Sequence, residues 1–140
     1  MNKPRIWFFI AAFLALLWNL AGLFAVVSDL RLSPNELAAM SPEQQALYAA
    51  RPIWSVMASV LAVAGGTAGC AGLLLRWRRT VFLFYASLVG IVFQDLGLFV
   101  IMDTNLSGNI AAYVMQSIVF LIAIGLIWLA GFASKKSWLR

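Results

Sequence analysis

No charged residue interrupts residues 53–75 of this chain, which read IWSVMASVLAVAGGTAGCAGLLL. Three further stretches carry at most one charged residue each, and they cover residues 6–27, 80–102 and 110–133. A helix needs about 20 residues to cross the hydrocarbon core of a bilayer, and each of the four stretches is longer than that. The sequence therefore predicts an all-α membrane protein, in which four transmembrane helices form one bundle and one domain over residues 1–140.

The composition and the placement of charge agree with this class. Hydrophobic residues make up 64% of the chain and charged residues 11%, whereas about a quarter of a soluble domain is charged. Eight of the ten basic residues fall on one side of the predicted membrane: Lys3, Arg5, Arg76, Arg78, Arg79, Lys135, Lys136 and Arg140. Basic residues stay on the cytoplasmic side, so we expect both termini in the cytoplasm. We therefore attribute the net charge of +5 to basic residues that set the topology and contact membrane lipid. No nucleic-acid partner is expected.

The chain has few residues that could bind a metal or a redox cofactor. Cys70 is its single cysteine, and it contains no histidine. An internal disulfide is therefore excluded, and zinc, haem and iron–sulfur sites lose their usual ligands. We expect neither a metal nor a cofactor.

The segment between the first two spans has clear helix-start signals. Ser33-Pro34-Asn35-Glu36 and Ser41-Pro42-Glu43-Gln44 each place Glu or Gln three residues after a serine, with proline between them. This is the capping-box pattern. It predicts two short helices within residues 28–52, the second ending near Ala50. The segment is either a connector on the outer surface or a lid over the mouth of a pocket.

Small residues indicate where the helices pack against one another. Glycine and alanine recur at four-residue spacing in the second span, as in Gly65 and Gly69, and such pairs let helix backbones approach closely. The glycines predicted to lie at packing positions are Gly22, Gly65, Gly66, Gly69, Gly72, Gly90 and Gly97. The partner of the second span is either another span of the same chain or a second copy in a homo-oligomer.

Polar residues in the four spans share one depth. Asn19, Ser59, Gln94, Asp95 and Gln116 all lie six to eight residues from the outer end of their spans, which corresponds to roughly 10 Å. Four helices thus bring polar groups to one layer in the outer half of the bundle. We take these residues, together with Trp18 beside Asn19, as candidate ligand-binding residues.

Helical spacing predicts which faces point inward. Ala12, Ala15, Asn19 and Gly22 form one stripe of the first span, and Ser87, Gly90, Gln94 and Gly97 form its equivalent in the third. Asp95 is turned about 100° from Gln94, and no span contains a lysine or arginine to pair with it. Asp95 either handles a proton or a ligand, as intramembrane carboxyl groups often do, or only ties helices together.

Two further patterns predict features of the whole chain. Residues 18–24 match residues 93–99 at three of seven positions, which suggests a parallel duplication of a two-helix hairpin.

Tryptophan prefers the membrane–water interface. The tryptophans near the predicted cytoplasmic surface are therefore expected to be interface anchors, and they are Trp7, Trp77, Trp128 and Trp138.

Four strings carry a family resemblance: LWNLAG at 17–22, SPEQQALY at 41–48, GGTAGC at 65–70 and QDLGLF at 94–99. With them the chain resembles a group of small four-span bacterial inner-membrane proteins of uncharacterised function, which are often labelled sugar transporters. The resemblance implies a location in the bacterial inner membrane and a sugar-like or other polar solute. It brings no assigned site residues.

Two functional hypotheses follow. In the first, the protein is a carrier or binding protein for a small polar solute that uses the polar layer. In the second, it is a non-transporting structural or accessory subunit whose polar layer only fixes the register of the helices. An enzyme is not expected, because the chain lacks a recognisable nucleophile and base pair.

Overall fold

A computed structural model of the chain describes residues 3–105 and 110–140. In these ranges the fold is entirely helical, with six helices in the order α1 Ile6–Leu30, α2 Pro34–Ala38, α3 Pro42–Ala50, α4 Ile53–Leu74, α5 Thr80–Asn105 and α6 Ile110–Lys135. α1, α4, α5 and α6 are long and apolar enough to cross a membrane. The predicted all-α class and the four spans are confirmed.

The helices end where backbone hydrogen bonds end and not where the apolar stretches end. α1 continues beyond the predicted limit at residue 27 to Leu30, because Ser28 and Asp29 still fit a helix. The two short helices between α1 and α4 are also confirmed. Ser33 and Ser41 each accept a hydrogen bond from the backbone N–H three residues later, and the side chains of Glu36 and Gln44 complete both capping boxes.

α4 packs between α1 and α5, and its most extensive contact is with α5. At Gly90 of α5 the backbones come so close that an added Cβ would lie 2.7 Å from the Ala58 carbonyl oxygen and 2.7 Å from the Ala62 nitrogen. One turn away, the Ser87 hydroxyl donates a 2.6 Å hydrogen bond to the Ala62 carbonyl. Only glycine fits at position 90 without moving a backbone.

The other predicted packing glycines also face neighbouring helices of the same chain. A Cβ at Gly66 would collide with the side-chain oxygen of Asn19 on α1, and one at Gly22 would touch Val63. The remaining contacts involve α4 and α5 and pair Gly65 with Ser87, Gly69 with Phe84, Gly72 with Thr80 and Gly97 with Ser55. The small-residue faces of α4 are therefore occupied within the chain by α1 and α5.

The end of the bundle formed by residues 5–9, 76–80 and 132–140, here called the basic end, is closed by aromatic packing. Trp138 is 5% exposed, and its ring lies 5.4 Å from that of Phe8 and 5.6 Å from that of Phe132. Trp138 is thus a core residue, and its predicted role as an interface anchor is wrong. The sequence pattern shows only its position in the chain, whereas the turn after α6 folds it inward.

Backbone hydrogen bonds hold that turn in place. The N–H of Arg140 donates to the Arg76 carbonyl at 2.6 Å, and the N–H of Arg78 donates to the Arg140 carbonyl at 2.7 Å. The Arg76 guanidinium Nε also donates to the Trp138 carbonyl at 2.7 Å. Residues 138–140 are consequently fixed against the turn between α4 and α5.

At the opposite end, here called the loop end and formed by residues 29–52, one cluster fixes α3 to α1. The Tyr48 hydroxyl donates a 2.7 Å hydrogen bond to Asp29, and Arg51 forms a 3.1 Å ion pair with the same carboxylate. The Arg51 guanidinium also lies 5.0 Å from the centre of the Tyr48 ring. The hydrogen bond to Asp29 is the main reason that the pKa of Tyr48 is raised above its usual value of 10.0.

We expect Gly90→Ala to destabilise the protein by about 1–3 kcal/mol, because the new methyl group must push α4 and α5 apart. The matched control is Gly125→Ala on α6, where an added Cβ meets nothing within 4 Å. Unfolding in detergent, followed by circular dichroism, measures both variants. Equal stability of the two variants would contradict the close approach of α4 and α5.

The cluster around Tyr48 predicts opposite shifts in tyrosine titration. Asp29→Ala should lower the pKa of Tyr48, since the acceptor and its charge are lost, whereas Arg51→Gln should raise it further. Ultraviolet absorbance measures the phenolate, with Tyr48→Phe identifying the signal. Because the folded-state pKa is raised, the stabilisation from this hydrogen bond is present below pH 10 and is lost as pH rises through that pKa. Shifts of the same sign in both variants would contradict the assignment.

Candidate functional site

A buried contact between α1 and α6 lies in the half of the bundle next to the basic end. There Phe8 and Ala12 of α1 are fully buried in one cluster with Leu126, Ala130 and Ala133. Toward the loop end the two helices are separated by a cavity of about 560 Å³, here called the main cavity.

All four long helices line the main cavity. The lining residues are Trp18, Asn19, Ala21, Gly22, Ala25 and Val26 of α1, Ala62 and Val63 of α4, Phe84, Ser87, Ile91, Gln94 and Leu98 of α5, and Met115, Gln116, Val119, Ile122, Ala123 and Leu126 of α6. None of these residues is charged, and most are apolar. The polar groups are one hydroxyl, one indole N–H and three primary amides, so this lining offers hydrogen bonds within an apolar wall.

Asn19 combines a place in the lining with a structural role. Its Nδ2 atom donates a 2.9 Å hydrogen bond to the Ala15 carbonyl and a 3.5 Å hydrogen bond to the Cys70 sulfur. Its Oδ1 atom lies over Gly66, in the contact between α1 and α4. The predicted inward orientation of Asn19 is confirmed.

Gln94 and Gln116 bring the other two amides to the cavity from α5 and α6. The backbone carbonyl of Gln94 accepts a 3.5 Å hydrogen bond from Ser55 of α4, which helps to fix this part of α5. Ser87 lies two turns from Gln94 and was not among the candidate site residues. Its position on the same small and polar stripe of α5 is the sequence signal that could have identified it.

Asp95 lies on a different side of α5 from Gln94. It lines a second hollow of about 420 Å³ between α5 and α6, together with Leu98, Phe99, Tyr113, Gln116, Ser117, Phe120 and Leu121. Its Oδ1 atom is buried and has no hydrogen-bond partner among the residues that the structure describes. Gln116 and Leu98 line both spaces, so the second hollow adjoins the main cavity.

The predicted polar layer is therefore divided. Trp18, Asn19, Gln94 and Gln116 line the main cavity, and Asp95 lines the second hollow with Gln116. Ser59 lies in the lining of neither space, and its hydroxyl donates a 3.1 Å hydrogen bond to the Ser55 carbonyl in the preceding turn of α4. A common depth in the membrane brings these residues to one level but not to one site.

The segment between α1 and α4 takes no part in either lining. Residues 31–52 contribute no side chain to the described walls of the two spaces. Its contacts with Asp29 instead hold it against the end of α1. This favours the connector interpretation over the lid.

Comparison with protein-family models, curated proteins and solved structures gives no match for this chain. The resemblance to small four-span inner-membrane proteins and the duplicated hairpin therefore stay predictions.

Proposed function

We propose that this chain is a multi-pass protein of the bacterial inner membrane that binds and carries a small neutral solute in the main cavity. One observation carries the proposal: three helices bring residues with primary amides, Asn19, Gln94 and Gln116, to the wall of one apolar space. The proposed role is not enzymatic.

The size and chemistry of the main cavity support a small ligand. Its volume of about 560 Å³ falls within the roughly 300–1,000 Å³ typical of small-molecule sites, which are mostly apolar with a few convergent polar groups. A primary amide both donates and accepts hydrogen bonds, so it suits hydroxyl, carbonyl or amide groups. An uncharged lining at membrane depth favours a neutral solute, because an unpaired buried charge is costly.

The two ends of the bundle differ in a way that suits a binding site with one accessible side. Phe8, Phe132 and Trp138 close the basic end, whereas the main cavity lies beyond them toward the loop end. In this conformation a solute can reach the amides without passing through the basic end. Transport across the membrane would require the aromatic contacts at the basic end to separate, whereas binding alone would not.

The alternative is a structural or accessory subunit, and Asn19 is the observation that favours it. Its hydrogen bonds and its contact with Gly66 hold α1 against α4. Under this alternative the other amides also serve packing alone. A homo-oligomer also stays a prediction, and its interface would have to avoid the faces of α4 that α1 and α5 occupy.

A ligand screen by thermal unfolding of the purified protein distinguishes the two functions. A ligand at a hundred times its Kd should stabilise the folded state by about 2.7 kcal/mol. Sugars, amines, small acids and neutral alcohols are compared on the wild type and on two neighbouring variants of α5. Gln94→Leu should abolish the stabilisation, since Gln94 lines the main cavity.

The second variant, Asp95→Asn, changes only the second hollow. Loss of stabilisation in Asp95→Asn with retention in Gln94→Leu would move the site there. No stabilisation by any solute, with both variants less stable than the wild type, would favour the structural alternative.

We also propose that the basic end and both termini are cytoplasmic, because seven of the ten basic residues lie in the basic end and Lys3 directly precedes it. Single cysteines at Ala46 and Lys136, both exposed, test this in a Cys70→Ala background. A membrane-impermeant maleimide should label Ala46→Cys in intact spheroplasts and Lys136→Cys only after lysis. The reverse pattern would invert the topology.

A further inference from the structure

Resting on the proposed function, we infer that the main cavity opens sideways into the bilayer between α1 and α6 and takes a neutral amphiphile. The hydrogen-bonding head of this ligand would reach the amides, and its hydrocarbon part would lie along the apolar wall. The ligand would thus partition from the membrane instead of arriving as a free sugar from water.

The exposure of the lining residues shows where the cavity is open. Trp18 is 41% exposed and Met115 is 54% exposed, and Ala21 and Ala25 are exposed as well. A side chain that both lines a cavity and lies on the outer surface marks the rim of an opening. All four rim residues belong to α1 or α6, so the opening lies between these two helices.

The opposite wall is closed. The lining residues that α4 and α5 contribute are all buried or half-buried, and Ala62, Phe84, Ser87 and Ile91 are among the buried ones. Close packing of α4 with α5, through Gly90, seals that side.

The opening lies at hydrocarbon depth. Trp18 is twelve residues before the end of α1 at Leu30, which corresponds to about 18 Å along a helix. Ala25 lies about 8 Å from the same end by the same measure. The exposed neighbours of this rim on α1, Leu17, Leu20 and Phe24, are apolar. Lipid chains therefore face the gap when the four helices span a membrane.

The lining chemistry selects against a free sugar. A sugar carries a hydroxyl on almost every carbon, and each buried hydroxyl without a partner costs about 1–3 kcal/mol. The described lining offers Asn19, Ser87, Gln94 and Gln116 as its side-chain amides and hydroxyl, but Ser87 already donates to the Ala62 carbonyl and Asn19 to the Ala15 carbonyl. These side chains can therefore pair with only one or two hydrogen-bonding groups of a ligand. Burial of a hydrocarbon chain against the apolar wall, by contrast, is favourable.

Tryptophan fluorescence tests this inference directly. The full-length protein is reconstituted in phosphatidylcholine nanodiscs and titrated with bromodecanol, a neutral amphiphile whose bromine quenches nearby indoles. We expect saturable quenching that decanol competes away. Trp18→Phe should remove the saturable component, whereas Trp128→Phe, which changes an exposed tryptophan of α6 outside the cavity, should keep it.

Blocking the opening provides the second arm. Ala25→Phe fills the rim and should weaken bromodecanol binding by at least about tenfold, equivalent to 1.4 kcal/mol. Leu20→Phe is the matched control, because Leu20 is exposed on the same helix but does not line the cavity. Thermal unfolding of both variants checks that the bundle is intact.

The outcomes separate this inference from the proposed function. Saturable quenching that depends on Trp18 and is weakened only by Ala25→Phe supports lateral loading. Stabilisation by glucose or another water-soluble solute, with no saturable binding of bromodecanol, would overturn lateral loading and leave the proposed function intact. Non-saturable quenching that is equal in all variants, together with a negative ligand screen, would overturn both.

Discussion

The contact between the backbones of α4 and α5 at Gly90 is the constraint on which the rest of the bundle depends. In a bilayer the lipid chains are as apolar as leucine, so helices associate through van der Waals contact and hydrogen bonds instead of hydrophobic burial. Gly90 lets the two backbones meet, and the Ser87 hydroxyl then reaches the Ala62 carbonyl at 2.6 Å. The opposite small face of α4 receives Asn19 of α1 over Gly66. Three helices thus form one closely packed unit.

α6 is attached to this unit differently, and the main cavity is the consequence. An added Cβ at Gly125 or Gly131 of α6 would meet nothing within 4 Å, so these glycines make no close backbone contact. α6 packs most extensively against α5, and its Leu126 and Leu129 join the buried cluster that contains Phe8 and Ala12 of α1. This buried contact of α1 with α6 lies in the half of the bundle next to the basic end, and toward the loop end the space between the two helices widens into the main cavity.

Local sequence patterns predicted the features that depend on neighbouring residues along the chain. The capping boxes at Ser33 and Ser41 formed because each involves residues only three apart. The stripes through Asn19 and Gln94 point inward because helical periodicity fixes relative direction. Trp138 was predicted wrongly, since a turn with backbone bonds to Arg76 and Arg78 decides its burial, and those partners are about sixty residues away in the chain.

The candidate site shows the same division between local and tertiary information. Depth along a helix can be counted from the sequence, so the common level of Ser59, Gln94 and Asp95 was accessible. The sequence did not show which of these side chains would face the same space, because that depends on how the helices pack. Ser59 bonds back to the preceding turn of its own helix, as serine often does in apolar surroundings.

Asp95 and Gln94 illustrate how one helix can serve two spaces. A turn of about 100° between neighbouring residues directs the amide of Gln94 to the main cavity and the carboxyl of Asp95 to the second hollow. Burying an oxygen without a hydrogen-bond partner, such as Asp95 Oδ1, costs free energy. Such a group is therefore disfavoured where two helices pack closely. It lies instead between α5 and α6, the least extensive of the three principal helix contacts. The less extensive packing of α6 therefore leaves space both for the main cavity and for the Asp95 carboxyl. We attribute this packing to the absence of a glycine-mediated contact on the described part of α6.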